Sequence, residues 1–201
     1  MTDRQFRLGI YLNGFVLGFV LMGFEMLSSR FLNPWFGSGI YTWAAIISVT
    51  LFALMIGYFL GGRLVDRFPS AALLGALVIL AAVSMAVVPP ALEPMILWVF
   101  DSFGDGPMGV TAAAFFMLIV PLTLIACYSP FAVRLLLENT ESSGQQTGAV
   151  YGINTFGNIL GTLITTFWFI PTVGSTVITY CFATVTVLCG LALIWLGRAR
   201  R

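Results

Sequence analysis

The sequence predicts an all-α integral membrane bundle of six transmembrane helices, folded as a single polytopic domain over residues 1–201. Three observations predict it. Of 201 residues, 59% are hydrophobic and only 8% charged, whereas a soluble domain carries about 25% charged residues. The mean hydropathy is +1.00. Apolar runs long enough to cross the roughly 30 Å hydrocarbon layer recur along the chain. Backbone groups in lipid must be satisfied internally, so only helices or a closed barrel can span. The runs lack the strict alternation of barrel strands. Composition therefore excludes a secreted disulfide scaffold, a disordered tail and an ordinary cytosolic enzyme.

The first span is expected at about 8–27. Arg4 and Arg7 precede it as in a signal peptide, but the stretch is too long and no small-x-small site precedes Glu25. A retained first helix is expected. Glu25 is the only ionisable side chain well inside a span. Such a group is costly unless paired or hydrated, which makes it a candidate site for a cationic substrate or a carried proton. The alternative is an ion pair with Arg30 where the helix ends.

The second span, about 41–61, runs into Gly61-Gly62-Arg63-Leu64-Val65-Asp66-Arg67-Phe68-Pro69. Tightly spaced charges after a glycine pair can link helix ends; interfacial arginines balanced by Asp66 are the simpler reading. Gly57 and Gly61 have the GxxxG spacing that permits close helix contact. The third span is expected at 71–88, followed by an outer loop over 89–108. That stretch carries Glu93, Asp101 and Asp105 without a positive charge. Its Pro94–Phe100 segment is too short to span, so a short interfacial helix anchored by Trp98 is expected. An acidic vestibule and an ordinary solvated loop are both open.

The fourth span is expected at 109–127, kinked by Pro130. The fifth, 148–169, is closed by Pro171. Thr147, Tyr151, Asn154, Asn158, Gly161 and Thr165 fall on one of its faces. Buried Asn needs a partner, so this face should meet a helix as glue or line a polar path. Gly148/Gly152 and Gly157/Gly161 offer two close approaches. The sixth span is expected at 175–196.

Arginine placement gives the orientation. All nine positive charges are arginine, and histidine is absent. With both termini cytoplasmic, Arg4, Arg7, Arg63, Arg67, Arg134, Arg198, Arg200 and Arg201 lie inside and only Arg30 outside. The expected location is the inner (plasma) membrane, with the lipid bilayer as solvent. Nucleic acid is not expected as a partner at a net charge of +1. Cys181 and Cys189 stand about 12 Å apart along one helix, too far for a disulfide; with Cys127 they read as small buried hydrophobes.

No Walker motif, GxGxxG, Ser-His-Asp set, HExxH or CxxC occurs. No catalytic residue, metal ligand or cofactor is expected in this chain.

Three stretches resemble the membrane domain of bacterial proteins described as spermidine synthases fused to a major-facilitator-like module. The first is Gly23-Phe24-Glu25-Met26-Leu27-Ser28-Ser29-Arg30, continuing through Pro34 and Phe36-Gly37-Ser38 to Tyr41 and Trp43. The second is Gly57-Tyr58 with Gly61-Gly62-Arg63-Leu64 and Asp66-Arg67. The third runs from Ser129-Pro130-Phe131-Ala132-Val133-Arg134-Leu135 through Gly148, Tyr151, Asn154-Thr155, Gly157 and Gly161-Thr162 to Ile170-Pro171 and Gly174. The resemblance implies a transporter-like half of six helices. It carries over Glu25, Arg30, Gly62, Arg63, Asp66, Arg67, Arg134, Tyr151, Asn154 and Thr155 as a membrane signature. Gly62, Asp66 and Arg67 also fit the loop between spans two and three of major-facilitator transporters, whereas Pro69 and Ser70 depart from it.

In the fused proteins a cytoplasmic aminopropyltransferase-like domain follows. No Rossmann-like segment or acidic catalytic motif of that domain is present here, so aminopropyl transfer would need a separate soluble subunit. The resemblance thus implies a membrane subunit or anchor for a spermidine synthase-like partner, handling a cationic polyamine. Two alternatives stay open: a half-size transporter of an organic cation acting as a homo-oligomer, and a structural subunit of a larger membrane complex. Glu25, Arg30, Tyr151, Asn154, Thr155 and Asn158 are the substrate-path candidates. Gly62, Arg63, Asp66, Arg67 and Arg134 form the candidate docking motif.

Overall fold

The computed structural model describes residues 2–137 and 143–199. Among these residues every regular element is helical: α1 (Asp3–Phe36), α2 (Ile40–Arg67), α3 (Ala71–Phe103), α4 (Pro107–Ala126), α5 (Tyr128–Leu136), α6 (Ser143–Ile164), a π turn (Thr165–Phe169), α7 (Ile170–Thr172) and α8 (Ser175–Ala199). They make six helical spans long and apolar enough to cross a membrane, with α4 and α5 in one span and α6 to α7 in another.

Local chemistry sets the ends. Thr2 and Gln5 form a reciprocal capping box at the start of α1 (3.4 and 3.0 Å). Gly37 and Gly104 terminate α1 and α3 with φ of 74° and 75°, a region that side chains disfavour. Ser70 caps α3 through its hydroxyl oxygen.

One expectation needs correction here. Residues 89–108 were expected as an outer loop with a short interfacial helix; instead α3 continues unbroken through Pro89, Pro90 and Pro94 to Phe103. Ile96 and Val99 are buried along the extension, and Phe100 packs edge-on against Trp35 and Phe36 at the end of α1. Packing there outweighs the hydrogen bonds that proline removes. The fourth span continues through Pro130 to Leu136 with its break at Cys127, in keeping with the expected kink. The ring of Pro130 displaces the carbonyl four residues earlier, so the irregularity falls on the preceding turn.

The bundle is centred on α1 and the α4–α5 span, the two most buried. Around them α6 packs on α1, α8 on α3 and α1, and α2 on α4 and α5. Small residues set the closest approaches. A Cβ at Gly157 or Gly161 would collide with the Phe15 or Phe19 carbonyl of α1. Gly57 and Gly61 bring α2 against Thr123, Ala126 and Cys127, where Thr123 Oγ also donates to the Ala53 carbonyl at 3.2 Å. Gly75 and Gly190 abut each other between α3 and α8. By contrast Gly148 and Gly152 face open space and make no approach. Phe19, Phe169 and Phe182 form a ring cluster joining α1, the π turn and α8, with centroids 6.2–6.3 Å apart.

Gly9 meets Leu196, and Gly197 meets Ala71 and Ala72, so the described ends of the chain share one end of the bundle. Arg4, Arg7, Arg63, Arg67, Arg134 and Arg198 belong to that end by helix order, and Arg30 to the other. Arg200 and Arg201 lie outside the described residues. Cys127 and Cys189 are buried, but Cys181 is exposed on α8, against expectation. A position facing lipid accepts a thiol as readily as the core does.

Candidate functional site

The helices α2 and α6 both pack on α1 and α5 rather than on each other. Between them runs a polar seam with α1 and α5 as its floor. Residues Thr50 and Asp66 mark its length on α2, about 24 Å at 1.5 Å per residue.

At one end Glu25 of α1 is only 5% exposed, and Thr50 of α2, facing it, is 2% exposed. The Thr50 hydroxyl nonetheless has no hydrogen bond of regular geometry. Arg30 is exposed near the end of α1, and Glu25 makes no ion pair with it. The expected alternative of a Glu25–Arg30 pair is therefore not formed. Five residues on a helix point the two side chains about 140° apart. Burying a carboxylate without a counter-cation is expensive, which is the chemical feature of this site.

Midway, Asn154 donates from Nδ2 to Ser129 Oγ of α5 at 3.2 Å. Gly18 leaves room for Asn154 and Asn158 against α1, and Asn158 Oδ1 is buried without a partner. The span-five stripe thus divides. Gly157 and Gly161 serve close packing; the Asn154 amide bonds across to α5; Asn158 keeps an unused acceptor at the α1 contact.

At the termini end a cavity of about 300 Å³ is lined by Gly62 and Asp66 of α2, Pro130 and Arg134 of α5, and Thr147 and Tyr151 of α6. The structure therefore joins Gly62, Asp66 and Arg134 of the docking motif to Tyr151 of the stripe. Arg63 and Arg67 are exposed outside this cavity, Arg67 with its guanidinium 5.6 Å above the Phe68 ring. Thr155 is exposed on α6.

Sequence reasoning missed Thr50, because a lone hydroxyl in an apolar run carries no signal until Glu25 is set against it. It also missed Tyr128, whose hydroxyl donates to the Ile10 carbonyl and ties α5 to α1. A buried tyrosine needs such a partner, which is the signal that could have found it. Thr165 and Thr166, in the π turn, have buried hydroxyls without partners. Among the described residues no three His, Cys, Asp or Glu side chains gather into a metal-binding group.

Searches against family models, curated proteins and solved structures give no significant match.

Proposed function

We propose that the chain is the membrane subunit of a polyamine-handling assembly. Glu25 holds an ammonium group of an organic polycation, and the arginine-rich end receives a soluble spermidine synthase-like (aminopropyltransferase-like) partner. The observation that carries the reading is the buried Glu25 carboxyl group, with no counter-cation among the described residues, facing the buried Thr50 hydroxyl. A cation entering that setting supplies the missing charge, and the hydroxyl oxygen accepts one of its N–H bonds. The Asp66, Arg134 and Tyr151 cavity lies at the end where the partner would dock. By the positive-inside rule that end faces the cytoplasm, in the inner membrane of a bacterial cell. The chain then binds and places the polycation, and aminopropyl transfer belongs to the partner.

Purification from native membranes in mild detergent, followed by identification of whatever remains bound, tests the reading. A stoichiometric transferase-like protein, released when Arg63, Arg67 and Arg134 are replaced, supports it. A particle holding only copies of this chain overturns it.

A half-size transporter acting as a homo-oligomer is the second reading. The span containing α6 favours it, being the least buried of the six. A second copy across the α2–α6 side would enclose the seam and place the cation between two halves, as in other secondary transporters. Flux that disappears in Glu25→Gln, from a particle containing this chain alone, would decide for it.

A further inference from the structure

Away from the α2–α6 seam, α1 and α8 line an apolar groove of about 560 Å³ at the termini end. Leu8 and Leu12 form one lip and Trp195 the other, all three exposed. Gly9 forms part of the floor, where the missing side chain lets Leu196 close the base at 2.8 Å from a Cβ position. A second, more polar cavity of about 460 Å³ adjoins it through Leu8 and is lined by Asp3, Arg4, Arg7 and Tyr11. On the α8 side, exposed Arg198 follows Trp195 by three residues, nearly one turn, outside both cavities.

The groove thus has an apolar trough, an exposed indole on one lip, and guanidinium groups beyond its mouth. Arg4 and Arg7 line the adjoining cavity with Asp3, and Arg198 stands exposed past Trp195. Apolar length joined to cationic mouth is the shape and charge of a two-part amphiphile with an anionic head. We propose that this groove binds an anionic phospholipid. Its acyl chain lies along Leu8, Gly9, Leu12 and Trp195, and its phosphate meets Arg4 and Arg198. A zwitterionic lipid fills the same trough but brings its own cation to the arginines, so it binds less tightly.

The test uses the full chain in nanodiscs of phosphatidylcholine containing one-fifth phosphatidylglycerol, then counts retained lipid by native mass spectrometry. Phosphatidylglycerol is retained in preference to phosphatidylcholine. Replacing both Arg4→Gln and Arg198→Gln lowers the preference about twenty-fivefold, fivefold for each arginine near an anionic surface. Ala192→Phe, which fills the trough, lowers retention of both lipids. Equal retention by the parent chain, or an unchanged preference in the double variant, overturns the proposal. Displacement of the lipid by millimolar inorganic phosphate would reassign the mouth to a free anion. A lipid-free dimer would assign the groove to a second copy. Either result also overturns it. Each variant is read on the monodisperse helical fraction, and helix loss in Ala192→Phe leaves the arginine pair as the deciding measurement.

Discussion

Asn154 on α6 donates from its side-chain amide to the hydroxyl oxygen of Ser129 on α5, 3.2 Å away. The bond ties the helix carrying the polar stripe to the short helix carrying Arg134, and it lies beside Gly18, where α1 admits the Asn154 side chain. Interhelical side-chain bonds of this kind in membranes average about 0.6 kcal/mol. In a double-mutant cycle, Asn154→Leu and Ser129→Ala should each destabilise, and the coupling between them should be near that value. Unfolding in mixed detergent micelles measures it.

The glycines of α6 should separate sharply. Gly161→Leu drives a side chain into the Phe19 carbonyl and should destabilise by more than the 1–3 kcal/mol typical of overpacking, about 3 kcal/mol or above. Gly148→Leu faces open space and should stay within about 0.5 kcal/mol of the parent. Thermal unfolding of the two variants side by side checks the contrast.

Six spans were legible because each apolar run announces itself without reference to its neighbours. The Gly57/Gly61 spacing was legible for the same reason, since both residues sit on one helix. Which helices adjoin was not. Gly75 and Gly190 meet from opposite ends of the sequence, and Thr50 acquires meaning only across from Glu25. Three prolines in 89–94 made a loop the natural expectation, and the aromatic contacts that keep α3 helical there come from the far end of α1. The candidate site was thus half visible: its charge could be read locally, its surroundings could not.

Replacing Glu25 by Gln should leave the fold intact. A neutral amide of the same shape removes the cost of burying a charge, so thermal stability should hold or rise. Binding of a polyamine such as spermidine should fall at least tenfold, since the ammonium loses its counter-charge; titration calorimetry on the purified protein reads it. Retained binding would remove Glu25 from the site.

Thr50 distinguishes a ligand contact from a packing role. Thr50→Val preserves shape and removes the oxygen; Thr50→Ser keeps the oxygen and loses a methyl. Valine should weaken polyamine binding severalfold with stability unchanged, while serine should retain binding and lose about 1 kcal/mol of stability from the missing methyl. The opposite pattern would make Thr50 a packing residue.

Tyr128→Phe removes the hydroxyl that donates to the Ile10 carbonyl. The expected loss is about 0.5–1.5 kcal/mol, the net worth of one hydrogen bond. Denaturant unfolding gives the value.

The π turn at Thr165–Phe169 has a consequence for everything beyond it. Ile170 donates to the carbonyl of Thr165, five residues back instead of four. One residue is thereby accommodated without advancing the helix, and the downstream side chains slip in phase by about 100°. In an unbroken α-helix Phe169 would stand about 80° from the face that Gly161 presents to Phe19. With the slip it comes to within about 20° of that face, where its ring meets Phe19 and Phe182. The span thereby changes its facing partway across: a polar stripe up to Thr165, and an aromatic clasp on α1 and α8 after it. Deleting one residue within the turn would restore regular hydrogen bonding and swing that clasp away from its partners.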